Sequence, residues 1–303
     1  MSTNETVPVG ARAYPGGAAQ LGDRSVARIG YGAMQLAERA GRQTLDHAEA
    51  VAVLRRAREL GVNHIDTAQF YGDGVANGLI RDALHPYADD TVLVSKVGAV
   101  RVAGGPSPLM VAQKPFELRA AVEDNLTALR AERLDVVNLR RADNPPGIIA
   151  DGDQIVPLDD QLTEMISLRD QGKIGGIGLS NVSFDQVEAA LPAGIACVQN
   201  AYNLVLRTDE PLLELCLANG IAWVPYFPLG SGFPGQRRVT DEPEVQDVAH
   251  RLGATPSQVG LAWLLAHAPN VLLIPGTSSI EHLDQNVAAG SVVLDAAALA
   301  ALA

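Results

Sequence analysis

The chain has 303 residues, 47% hydrophobic and 19% charged, enough to bury a large core as one big domain or two ordinary ones. A net charge of −12 argues against a general nucleic-acid binder, because a phosphate backbone rewards a basic surface. Two cysteines, Cys197 and Cys216, give no disulfide framework and no metal-ligand spacing, and no apolar run reaches the roughly 18 residues of a membrane span.

Residues 1–19 hold Pro8, Gly10, Pro15, Gly16 and Gly17 without an apolar run, and read as a flexible lead-in to a single domain over 20–303. They carry no signal-peptide pattern, so the expected location is the cytoplasm. Val- and Ile-rich runs near 26–32, 62–66, 92–96, 134–140, 174–180, 195–199, 221–226 and 271–275 predict eight strands. Helical spacing fills the intervals. Lys114-Pro115 opens a helix bearing Leu118, Val122, Leu126 and Leu129, and Leu158, Leu162, Met165 and Ile166 mark the next. Capping-box spacing recurs at Ser183–Gln186, Thr255–Gln258 and Ser278–Glu281, the second leading into Val259, Ala262, Trp263 and Ala266.

Strands alternating with helices imply parallel pairing, since a crossover helix is what joins two parallel strands. Eight such units in about 280 residues predict a (β/α)8 TIM barrel with an N-terminal hairpin or extension. The rival doubly wound sheet wants a G-x-G-x-x-G turn after an early strand, and there is none. Three connections are long, at about 97–114, 141–157 and 227–243. All follow strands, which places them on the barrel face where pockets are built.

The strand ends carry the chemistry. In order they finish in Asp66, Ser95-Lys96, Arg140-Arg141, Ser180-Asn181, Gln199-Asn200 and Tyr226, and Pro275-Gly276-Thr277-Ser278 follows the last. Asp66, Tyr71 and Lys96 suggest a proton donor: an ammonium stabilises a phenolate and lowers the phenol's pKa, and a carboxylate holds the ammonium in place. Tyr71 can then protonate a carbonyl oxygen as hydride reaches its carbon. Singly, Asp66 could be a helix cap, Tyr71 a loop aromatic and Lys96 a solvated strand end; joint placement on adjacent strand ends makes the case. The histidines form no metal-like group, which counts against a metal-dependent hydrolase on the same barrel. His64 faces the same way as Asp66 and reads as a hydrogen-bonded barrel-interior residue, while Trp223 and Trp263 read as core. Arg237-Arg238 is either a phosphate contact or a solvated loop.

The segment Gly61-Val-Asn-His-Ile-Asp-Thr-Ala-Gln-Phe-Tyr-Gly72 resembles the signature of aldo-keto reductases. So do Leu179-Ser-Asn181, Val198-Gln-Asn-Ala-Tyr-Asn203, Pro225-Tyr-Phe-Pro-Leu-Gly230 and Ile274-Pro-Gly-Thr-Ser-Ser279, a likeness running from about residue 20 to about 295. Within the family, Leu134–Arg140 and Ile274–Leu283 are similar to the bacterial pyridoxal reductase-like branch. The resemblance implies NADPH-dependent reduction of an aldehyde or ketone, such as pyridoxal to pyridoxine, with Tyr71 as general acid beside Asp66 and Lys96. It implies Tyr226 stacked on nicotinamide, with Ser180, Asn181 and Gln199 on the carboxamide. The loop around 227–235, including Pro228, Leu229 and Gly230, would cover the pyrophosphate. Pro275, Gly276, Thr277, Ser278, His282 and Asn286 would hold the adenosine end, where a helix N-terminus is itself a ready anion site.

Two departures stand out. Arg140 occupies the strand end where the family usually has a catalytic histidine. Arginine orients a carbonyl or an anion but moves no proton at neutral pH, so Arg140 either reaches the substrate or pairs with Asp66 or a neighbouring loop. Gly276 and His282 stand where the common NADP pattern has a lysine and an arginine, which leaves NADH as an alternative cofactor. A nicotinamide-binding regulatory protein with little catalysis is the other reading, and the intact Asp66, Tyr71 and Lys96 set weighs against it. No long C-terminal loop follows the last helix, so an open pocket is expected.

Overall fold

The computed structural model describes residues 14–37, 45–102, 109–145, 147–230 and 237–303. Chain order begins with strands β1 (Ala18–Leu21) and β2 (Arg24–Ala27), an antiparallel hairpin, then β3 (Tyr31–Gly32). Helices α1 (Met34–Ala37) and α2 (His47–Glu59) lead to β4 (His64–Asp66), α3 (Val75–Leu84) and β5 (Val92–Val97). A second hairpin, β6 (Ala99–Arg101) with β7 (Leu109–Val111), precedes α4 (Pro115–Leu129), β8 (Leu134–Arg140), α5 (Leu158–Asp170) and β9 (Ile174–Ser180). Then come α6 (Phe184–Ala190), β10 (Ile195–Gln199), α7 (Glu210–Ala218) and β11 (Ala222–Trp223). Helices α8 (Pro243–Leu252), α9 (Pro256–His267), α10 (Ile280–Ala288) and α11 (Ala296–Ala301) complete the chain.

Seven parallel strands run in the order β11-β10-β9-β8-β5-β4-β3, curled so that residues 270–273 close the ring. There Gly30 donates to the Leu273 carbonyl at 2.7 Å and Leu273 to that of Arg28 at 2.8 Å, while Leu272 donates to Trp223 at 2.8 Å. The predicted (β/α)8 barrel is the fold observed. The eighth predicted strand, 271–275, is only this pair of bridges, Ile29 to Leu273 and Trp223 to Val271. The first predicted strand, 26–32, is split: its start belongs to the hairpin, Ile29 bridges Leu273 at the ring closure, and Tyr31–Gly32 form the barrel strand proper. Alternating pleats cannot separate those fates, because both halves are buried.

The hairpin plugs one mouth of the barrel. Leu21 and Val26 pack with Val92, Val136, Ala222 and Leu272 in an interior apolar cluster. Strand β1 begins at Ala18, inside the stretch read as lead-in, and residues 1–13 lie outside the described residues. The larger core lies between strands and helices, where Val137, Leu139, Ile177 and Leu179 meet the buried faces of α4 and α5. Pro115, Ser183 and Thr255 start their helices as expected, the last two with complete capping boxes. The box expected at Ser278–Glu281 is shifted by one: Ser279 is the cap and accepts from the His282 amide at 3.4 Å. Two adjacent serines present the same spacing to a sequence reading, and backbone geometry selects between them.

His64 lies in the barrel interior at 1% exposure, as expected, with no close hydrogen bond at either ring nitrogen and the Ala27 backbone as a polar neighbour. Burial pushes its pKa down to about 4, offset only in part by the Ala27 backbone. A depressed histidine contributes stability that is complete above about pH 6.5 and lost as pH falls through about 4. The wild-type protein should therefore lose about 3 kcal/mol across that window from this residue. In urea titrations at stepped pH, His64→Leu should flatten this part of the acid limb; an unchanged slope would rule the account out.

Candidate active site

A cavity of about 720 Å³ opens at the end of the barrel opposite the hairpin, well within the size of a cofactor cleft. The parallel strands all deliver their C-terminal ends here, so side chains distant in sequence converge. Asp66 ends β4, Lys96 lies near the end of the adjacent β5, Arg140 ends β8 and Ser180 ends β9. Tyr71 comes from the turn between β4 and α3, where Gly72, Asp73 and Gly74 all adopt positive φ and reverse the chain beside it.

Asp66 and Lys96 are 3% and 7% exposed, so their ion pair is buried. One carboxylate oxygen accepts from the Lys96 ammonium; the other accepts from the Gln199 side-chain amide at 2.7 Å. The ammonium also donates to the Thr67 carbonyl at 3.1 Å, bonds the Tyr71 hydroxyl, and lies 5.2 Å from the Tyr71 ring centroid. Burial alone disfavours the ammonium, but Asp66 and Tyr71 outweigh it, and Lys96 sits above its ordinary pKa. For Tyr71 the balance goes against the sequence expectation. Burial raises its pKa, and the opposing pull of Lys96 and Arg140 does not bring it below the ordinary phenol value. The phenol therefore stays protonated at neutral pH, as a proton donor must.

Arg140 reaches into the cavity. Its Nη2 lies where a Cβ on residue 147 would come within 2.7 Å, so glycine at that position makes room for the guanidinium. It also hydrogen-bonds the Tyr226 hydroxyl, which donates onward to Asn181 Oδ1 at 3.3 Å. The Arg140 carbonyl is anchored by Gln113 Nε2 at 2.8 Å.

Of the residues expected at the site, all but Asn181, Gln199 and Ser278 line this one cavity. Asn181 stands behind the wall, its amide donating to the Asn144 carbonyl at 2.6 Å and the Arg141 carbonyl at 3.3 Å. Gln199 is held by Asp66, and because a carboxylate only accepts, its NH2 must face Asp66. That leaves Gln199 Oε1 buried without a partner among the described residues, as is the Ser180 hydroxyl on the neighbouring strand. An acceptor and a hydroxyl left open side by side fit a primary carboxamide. Pro228, Leu229 and Gly230 line the cavity, while residues 231–235 of the expected covering loop lie outside the described residues. Gly276, Thr277, His282 and Asn286 line its far end, ahead of and within the first turns of α10. Arg237 pairs with Glu242 at 2.5 Å, in keeping with the solvated-loop reading. Among the described residues no group of His, Cys, Asp or Glu could hold a metal, and no helix is long and apolar enough to cross a membrane.

The profile of the Aldo/keto reductase family matches residues 28–303. The chain belongs to that family. It is 47% identical to the pyridoxine 4-dehydrogenase of Escherichia coli over 93% of this chain and 96% of that one. It is 31% identical to the E. coli methylglyoxal reductase YeaE over 93% and 91%. A Klebsiella pneumoniae aldo-keto reductase solved in complex with NADPH superimposes with a TM-score of 0.77 at 29% identity, covering 94% of this chain and 93% of that one.

Sequence reading missed the apolar wall of this aldo-keto reductase pocket: Phe70, Leu109 and Ile148. The length of the 97–114 and 141–157 connections pointed to their loops, but isolated apolar loop residues carry no chemical signal. At the other end Met34, Gln35, Ser257 and Gln285 were missed for a similar reason, being ordinary helix residues.

Because the ion pair is buried, Lys96→Met should destabilise by about 3–5 kcal/mol by stranding the Asp66 carboxylate. Adding Asp66→Asn should recover most of that loss, as read by urea denaturation at pH 7. A single variant as stable as wild type would show that the pair does not brace the barrel mouth.

Proposed function

We propose that this oxidoreductase reduces an aldehyde to an alcohol with NADPH, with pyridoxal and pyridoxine as the substrate pair and Tyr71 as the general acid. The observation that carries the reading is the buried Asp66–Lys96–Tyr71 constellation on the cavity wall. Identity to a pyridoxine 4-dehydrogenase supports the substrate class, and the NADPH-bound relative supports the cofactor.

When bound, NADPH supplies the hydride. Gln199 Oε1 would accept from the carboxamide NH2 and the Ser180 hydroxyl would donate to its oxygen, with Asn181 bracing Tyr226 rather than touching the ring itself. Tyr226 offers a flat aromatic face in the wall, Pro228, Leu229 and Gly230 border the pyrophosphate path, and Pro275, Gly276, Thr277, His282 and Asn286 would surround the adenosine end, with Ser278 in the same turn outside the cavity lining. Tyr71 gives its proton to the carbonyl oxygen, and Lys96 stabilises the phenolate that remains. Arg140 donates from a planar fork to the carbonyl or to an adjacent phenolate oxygen, a positioning role that needs no proton transfer. Phe70, Leu109 and Ile148 pack against the substrate ring.

Tyr71→Phe should lower kcat for pyridoxal by about 100-fold or more, while NADPH binding, followed by protein fluorescence, holds within about threefold. Tight NADPH binding by the wild-type protein with no turnover across pyridoxal and a panel of simple aldehydes would favour the regulatory reading instead. Since the Tyr71 pKa lies above 10, reductive kcat should not fall on the alkaline side between about pH 7 and 9. The ratio of kcat/KM with NADPH to that with NADH tests the cofactor assignment.

A further inference from the structure

Asp66 and Lys96 point into the barrel, and the residues next to them, Thr67 and Ser95, point the opposite way into the helix layer. There a closed polar network joins the two strand ends. The Thr67 hydroxyl donates to Asn77 Oδ1 at 2.8 Å, and Asn77 Nδ2 donates to Asn125 Oδ1 at 2.9 Å and to Gln69 Oε1 at 2.7 Å. The Ser95 hydroxyl donates to the same Asn125 oxygen at 2.6 Å, and Asn125 Nδ2 donates to the Ala121 carbonyl of its own helix at 2.8 Å. Thr67, Asn77, Ser95 and Asn125 are all completely buried.

A core of this size has no need of four buried polar side chains, and an apolar set of the same volume carries no desolvation cost. Their placement supplies a reason. An ammonium has three N–H bonds in fixed directions. On Lys96 one goes to Asp66 and one to the Thr67 carbonyl, which leaves the third for Tyr71. The network holds Thr67 by its side chain and Gln69 in the turn that carries Tyr71, and it anchors both to the residue preceding Lys96.

We propose that Thr67, Asn77, Asn125 and Ser95 are positioning residues for the proton donor, fixing the Thr67 carbonyl and hence the direction in which the Lys96 ammonium meets Tyr71. This rests on the reading of Tyr71 as the acid, but it can be tested apart from turnover. The chain has only three lysines, and Lys114 and Lys173 lie at the surface with side chains 26% and 30% exposed, so in protein labelled with 15N-lysine the protected ammonium signal belongs to Lys96. Thr67→Val keeps the shape and removes the hydroxyl; Thr67→Ser keeps the hydroxyl.

Thr67→Val should speed exchange of the Lys96 ammonium protons by about tenfold or more, and lower kcat by about tenfold with KM changed less than about threefold. Thr67→Ser should stay within about threefold of wild type in both. If Thr67→Val does not fold, Ser95→Ala breaks the network from the other strand and should move the same two readouts in the same direction. The proposal is overturned if the hydroxyl-deleting variant lowers only the melting temperature, or if Thr67→Ser loses as much as Thr67→Val. Absence of wild-type turnover would instead count against the proposed function, with the exchange measurement still deciding this one.

Discussion

A buried ammonium paired with a buried carboxylate is the constraint around which this barrel mouth is organised. Removing both charges from water is costly, and their attraction offsets the cost only if the geometry is held and the remaining hydrogen-bonding capacity is filled. The protein meets both conditions. Lys96 reaches Asp66, the Thr67 carbonyl and Tyr71, while the second oxygen of Asp66 takes the Gln199 amide. Parallel pairing of β4 with β5 brings the two charges together, and no local structure could do so across 30 residues.

The same pair sets the character of the proposed acid, Tyr71. Burial alone would hold Tyr71 as an inert phenol; Lys96 gives the proton somewhere to leave from by making the phenolate tolerable. Under the proposed function, the donor remains protonated at rest and ionises as a carbonyl oxygen gains charge beside it. Gln199 ties this chemistry to the cavity's other function, since the amide that restrains Asp66 is the one whose oxygen is left open beside Ser180.

Arg140 gives the pocket its particular stamp. It stands at the end of β8 with its carbonyl bound by Gln113 and its guanidinium between Gly147 and Tyr226. In the proposed reaction, a cation that cannot release its proton would favour recognition of an electron-rich oxygen and leave proton transfer to Tyr71. The neighbouring walls, Phe70, Leu109 and Ile148, are apolar, so polar recognition is concentrated on one side of the cavity.

Much of this was legible in the sequence. Alternating Val-rich runs and capped helices gave the barrel, and polar residues at the strand ends gave Asp66, Lys96, Arg140 and Ser180, because periodicity and strand-end placement are local properties. Tyr71, Tyr226 and the Pro275–Ser278 turn came from motifs just as local. What only the tertiary structure decided depends on partners far apart in the chain. The first strand was divided between floor and wall, and Ser279 rather than Ser278 capped α10. The Tyr71 pKa rose instead of falling, because burial is a sum over neighbours that no sequence pattern states. Thr67, Asn77, Ser95 and Asn125 look like unrelated polar residues until two strands and two helices place them in one closed set of hydrogen bonds.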